Sequence, residues 1–68
     1  MRLAEIRKSR GMTQQMLADA VGVWQTTIGN YEAGVRYPNS EMLKKLSSVL
    51  HCTVDEILED PVEEQHAL

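Results

Sequence analysis

Apolar residues recur along this chain at helical intervals. Leu3 and Ile6 stand three apart in a stretch, 2–9, that is rich in helix formers. Leu17, Ala18 and Val21 make a second stripe, and Ile28 and Tyr31 a shorter third one. Leu43, Leu46, Val49 and Leu50 form the longest, over 41–50. Between the stripes stand residues that end or begin helices. Gly11 and Gly22 close the first two segments, and Gly34 closes a third over 25–33. Thr13 is an N-cap type ahead of a helix over 13–21. In the loop "VRYPNS" (35–40), Pro38 disfavours helix at Tyr37, and Asn39 or Ser40 can cap the fourth helix. "TVDE" at 53–56 fits a capping box that opens a fifth, short helix through Leu58. No segment alternates with the period of a strand. The pattern predicts an all-α domain of five short helices over 1–60. Pro61 ends the order, and 61–68 is expected to be an acidic, disordered tail.

The third segment has an unusual outer side. Stepping about 100° per residue turns Ile28 and Tyr31 inward. Gln25, Gly29, Ala33, Thr26 and Asn30 then share one continuous outward face, with amides, a hydroxyl and two very small residues but no charge. Gln and Asn can pair bidentately with adenine in the DNA major groove, and a Thr methyl can meet the thymine methyl. Gly29 costs roughly 1 kcal/mol against Ala in a helix interior, and with Ala33 it lets the backbone come close to a groove floor. A plain solvated helix surface carries the same residue types, so composition alone leaves both readings open.

Charge and composition narrow the field. The 68 residues carry a net −3, unevenly placed: 1–37 hold five bases against three acids, and 38–68 hold two lysines against seven acids. Such asymmetry can separate a polyanion-facing side from a solvated one. The single cysteine, Cys52, allows no internal disulfide and fits a reducing cytoplasm. Charges interrupt 1–20 throughout, so no signal peptide is expected, and Met1 leads us to expect a complete short chain. His51, Cys52 and His66 fall short of a tetrahedral metal site; Cys52 reads as a small buried hydrophobe, and no metal or cofactor is expected. No nucleophile–base set at recognisable spacing points to an enzyme.

Arg7, "GMTQ" (11–14), "LA" (17–18), "VGV" (21–23), Ile28, Tyr31-Glu32, Gly34, Pro38, Leu43, Leu46, Leu50 and "TVDEIL" (53–58) stand in an order that resembles the Cro/C1-type helix-turn-helix family, also called the XRE family, of phage and bacterial repressors. The resemblance implies a lambda-repressor-like bundle that binds duplex DNA as a homodimer on a two-fold-related operator. Helix 25–33 would be the recognition helix, with Gln25, Thr26 and Asn30 at base edges. Gln14, Arg10, Thr27, Arg36, Tyr37 and Asn39 would reach the DNA backbone. Arg7 and Glu32 would form an ion pair between the first and third helices. The homodimer would join through 53–60. An antitoxin or partner-controlled interaction module is the alternative use of the same fold.

The chain departs from the family at three positions. Trp24 stands where Ser or Thr is usual, which removes a cap contributing roughly 0.5–2 kcal/mol. Extrapolated onto the wheel of the third helix, Trp24 falls beside Ile28 and Tyr31, so its ring is expected to pack over them, the alternative being a ring that lies on the sugar-phosphate backbone. His51 stands where Gly is common, and Gly29 replaces a residue that often reads a base or phosphate.

Overall fold

The computed structural model describes residues 1–59. Within them lie five helices: α1 (Leu3–Ser9), α2 (Gln14–Val21), α3 (Gln25–Ala33), α4 (Ser40–Leu50) and α5 (Val54–Leu58). No strand occurs among the described residues. The tail 61–68, His66 and the last residue of the 53–60 segment lie outside them.

Side-chain caps fix most of the boundaries. Thr13 Oγ1 accepts from the Met16 N–H at 3.0 Å and opens α2. Asn39 Oδ1 accepts from the Met42 N–H at 2.8 Å and opens α4, so Asn39 rather than Ser40 is the cap. At α5 the capping box is complete: Thr53 Oγ1 accepts from the Glu56 N–H at 3.0 Å, and Glu56 Oε1 accepts from the Thr53 N–H at 2.8 Å. Gly22 closes α2 with φ of +79°, where a Cβ would be strained. His51 takes the same left-handed role after α4 with φ of +53°, which a non-glycine residue adopts at a cost of about 1–2 kcal/mol.

The helices close around one core. Leu3, Ile6, Leu17, Ala18, Val21, Ile28, Tyr31, Leu46, Leu50 and Ile57 are buried, drawn from all five helices. Leu43 and Val49, grouped by sequence with the α4 stripe, are only half-buried, because Leu46 and Leu50 occupy its centre and these two lie on its margins. Cys52 is likewise half-buried against the core, and burial together with the nearby Glu56 carboxylate pushes its thiol pKa up.

Two arginines at the two ends of α1 fasten it to the second half of the described residues. The Arg2 N–H donates to the Ile57 carbonyl at 2.8 Å, and its guanidinium bridges Glu5 at 2.7 Å and Glu59 at 2.8 Å. Arg10 Nε donates to the Leu50 carbonyl at 2.7 Å, and Nη2 to the His51 carbonyl at 3.3 Å. Among the described residues no helix is long and apolar enough to cross a membrane.

Candidate nucleic-acid interface

Three residues, Gly22 to Trp24, join α2 to α3. The left-handed Gly22 donates to the Ala18 carbonyl at 2.9 Å, and the Val23 N–H donates to the same carbonyl at 3.0 Å. That tight closure turns the chain so that α3 packs against α2. Ile28 and Tyr31 point into the core, while Gln25, Thr26 and Ala33 are exposed and Thr27, Gly29 and Asn30 are half-buried. The outward face lies on one accessible surface, and no acidic residue stands in the first turn of α3.

A polar chain runs from the interior to that face. Arg7 is buried, and its Nε donates to Glu32 Oε2 at 2.6 Å while Nη2 donates to Glu32 Oε1 at 3.2 Å. Its third nitrogen, Nη1, donates to the Met12 carbonyl at 2.7 Å. Glu32 Oε1 also accepts from Gln14 Nε2 at 3.0 Å, and Gln14 Oε1 accepts from Gln25 Nε2 at 3.0 Å. Burial works against ionisation of Glu32, but hydrogen bonds from Arg7 and Gln14, and the charges of Arg7 and Lys8, outweigh it. The carboxyl is held below its ordinary range. Both amide groups are therefore pinned in orientation by a charged pair, not left to rotate in solvent.

Gly29 stands next to the Gln14 amide. A Cβ added there would meet only the Gln14 amide, Nε2 at 3.8 Å and Oε1 at 3.9 Å, which is ordinary contact. The Gln14 amide thus lies beside the middle of α3. Its bridge between Glu32 and Gln25 was not read from the sequence; the only signal was an amide at the first position of α2, and its partner depends on how the two helices pack.

After α3, Gly34 takes φ of +79°, and the Val35 and Arg36 N–H groups donate to the Asn30 carbonyl at 2.9 and 3.2 Å. This reverses the chain at the end of the helix. Arg36, Tyr37 and Asn39 are exposed on the next loop, which buried Pro38 anchors. The Asn39 carbonyl-type oxygen is occupied by its capping bond to Met42, leaving its amide nitrogen available.

One expectation needs correction. Trp24 does not pack over Ile28 and Tyr31: it is 81% exposed, and neither of those residues needs it for burial. Its backbone is extended, with φ of −77° and ψ of 153°, so it lies off the helical wheel from which its position was extrapolated. Its side chain makes no cap hydrogen bond either. Arg10, expected on a phosphate, is exposed and in the free protein donates toward the C-terminal end of α4. Nε and Nη2 donate to the Leu50 and His51 carbonyls there, and Nη1 donates to Ser9 Oγ, at the end of α1, at 3.0 Å.

Among the described residues no group of three or more His, Cys, Asp or Glu side chains could hold a metal ion. A capped helix, a glycine turn of three residues and a second helix with an exposed hydrogen-bonding face together define a helix-turn-helix domain. A family model described as helix-turn-helix matches residues 3–57, and the chain belongs to the Cro/C1-type helix-turn-helix family. It is 39% identical over 57 residues to the HTH-type transcriptional activator BcrR of Enterococcus faecalis, covering 84% of this chain and 28% of that protein. It is equally 39% identical over 57 residues to the HTH-type transcriptional regulator AnsR of Bacillus subtilis, covering 84% and 49%. The cryptic phage CTXphi transcriptional repressor RstR of Vibrio cholerae is 38% identical over 56 residues, covering 82% and 50%. The chain thus spans half or less of the length of these relatives. No solved structure matches it. These relatives are named as regulators of transcription.

Proposed function

We propose that this chain binds an operator in duplex DNA by laying α3 in the major groove, with Gln25, Thr26 and Asn30 at base edges. It acts in the cytoplasm as a homodimer, joined near α5, on two half-sites about one helical turn apart, because one module contacts too few bases for specific affinity. Thr27, Arg36, Tyr37 and the free amide nitrogen of Asn39 meet the sugar-phosphate backbone, and Gly29 and Ala33 let the helix approach the groove floor. We read the outcome as repression, in keeping with the phage repressor among the relatives; occupying an operator is enough to block it.

The observation that carries this reading is the hydrogen bond from Gln25 to Gln14. A glutamine that reads adenine must present its amide edge in one orientation, and preorganisation lowers the entropy cost of that contact. Gln14 supplies the orientation and Glu32 fixes Gln14. A phosphate completes the remaining hydrogen-bonding capacity of Gln14.

Selection of bound duplexes from a random pool, at stated salt, tests this reading. A two-fold-related motif is expected. Gln25→Ala should relax one base pair per half-site by about 1–3 kcal/mol. Gln14→Ala should weaken every sequence and relax that same base pair in part. An unchanged motif in Gln25→Ala would remove α3 from the role of reading helix.

A further inference from the structure

We propose that Trp24 contacts the DNA backbone, with its indole ring against a deoxyribose and its Nε1–H donating to a phosphate at the wall of the groove that α3 enters. The proposal rests on the placement of α3 in the major groove. Trp24 is the chain's one tryptophan, and most of its surface is open to solvent. Its side chain contributes neither to the core nor to capping α3. An amphipathic ring suits a site with an apolar surface on one side and a wet acceptor on the other.

Its place in the fold selects the occupant. Gln25 and Thr26, the next two residues, are the exposed N-terminal positions of α3, and N-terminal residues of a recognition helix reach the base edges. A helix with its side chains is about 10–12 Å across and the major groove about 12 Å wide. A large side chain standing off the helix at the N-cap has no room inside the groove and meets the strand that bounds it. Trp24 also shares an open recess with Gly22, Val23 and Thr27. Val23 packs against the core and makes the recess floor firm. Thr27 stands one turn along the same flank, so an indole and a hydroxyl face one stretch of backbone. No acidic side chain in the first turn of α3 repels a phosphate there.

The contact is sequence-independent, since it involves only sugar and phosphate. It is also uncharged on the protein side, so it releases no counterion and leaves the salt slope unchanged. Both properties separate it from a lysine or arginine contact and from a base-reading residue.

The test titrates the full chain with a fluorescein-labelled duplex recovered by selection, following duplex anisotropy and tryptophan emission together. The free protein should emit as an indole in water, and the emission should quench or shift in step with the anisotropy. Trp24→Ala should unfold at the wild-type temperature, because the exposed ring supports nothing. It should bind the selected and a scrambled duplex equally less well, by roughly tenfold, at every salt concentration, as expected for a hydrogen bond to a charged acceptor. Trp24→Phe, which keeps a ring and loses the N–H, should recover part of that loss. Binding seen by anisotropy with flat emission, and with Trp24→Ala as tight as wild type, would place Trp24 off the DNA while leaving the groove placement of α3 intact. Emission that changes with protein concentration in the absence of DNA would assign the ring to a second copy of the chain and overturn the proposal. If the wild type binds no duplex at all, this proposal and the reading beneath it fall together.

Discussion

Gly29 sits mid-helix in α3, where alanine would cost less. Its φ is not in the left-handed region, and the Cβ of an alanine would reach ordinary contact distance from Gln14. Nothing in the free protein therefore requires glycine. Gly29→Ala should raise unfolding stability by about 0.5–1 kcal/mol, read by urea denaturation. If the backbone must approach the groove floor closely, the same variant should bind operator DNA more weakly despite being more stable. Gains in both would mean that the glycine has no part in binding. Residue-scale legibility was uneven for a physical reason. Ile28 and Tyr31 lie on the helix, so periodicity placed them inside. Trp24 is one residue outside it, where the periodicity no longer applies, and its exposure follows from backbone angles that the sequence does not display. Arg10 read as a free cation because its acceptors, the Leu50 and His51 carbonyls, lie forty residues further along the chain.

At the scale of elements, Arg7 on α1 and Glu32 on α3 form a tie between helices far apart in sequence, with both side chains only 9% exposed. Removing one member leaves a buried charge uncompensated, which can cost about 3–5 kcal/mol. A double-mutant cycle of Arg7→Met and Glu32→Gln in urea should return a coupling of about 1–3 kcal/mol. Glu32 has its pKa lowered on folding, so the stability it contributes is full above its unfolded pKa and is lost as pH falls through the folded value. Wild-type stability should decline from the ordinary carboxylate range downward, and the double variant should decline less. Glu56, also lowered by the Thr53 hydrogen bonds, contributes to both proteins alike, so the difference isolates Glu32. A coupling near zero, with parallel acid limbs, would make the two residues independent. The elements themselves were legible to within a residue, because Thr13, Asn39 and Thr53 carry the cap chemistry in their side chains. The pairing of Gln14 with Glu32 and Gln25 was not, since it needs the crossing of α2 and α3 as well as the residue types.

Along the whole chain the acids gather in the second half, seven of the ten following the segment that forms α3. On α5, Ile57 is fully buried and its neighbour Leu58 is 40% exposed, an apolar side chain on the segment we assign to the homodimer. Leu58→Glu should change monomer stability by no more than about 0.5 kcal/mol, as exposed positions generally do. It should shift sedimentation toward the monomer. It should also weaken binding to a duplex with two half-sites far more than to one with a single half-site. Equal losses on both duplexes would move the dimer contact elsewhere.

The bond between Gln14 and Gln25 also bears on how this protein could acquire a new target. A different residue at position 25 changes the base that is read and, in the same stroke, strips the Gln14 oxygen of its donor. The bond lies at the surface, so water can satisfy that oxygen and the fold is kept, but the Gln14 amide loses the partner that fixes its orientation, and most single replacements at 25 loosen it along with altering the preference. Substitutions that keep a donor at 25, or that change 14 at the same time, escape it. Retargeting is therefore a two-position problem, and lineages that drift to new operators are expected to move both residues together.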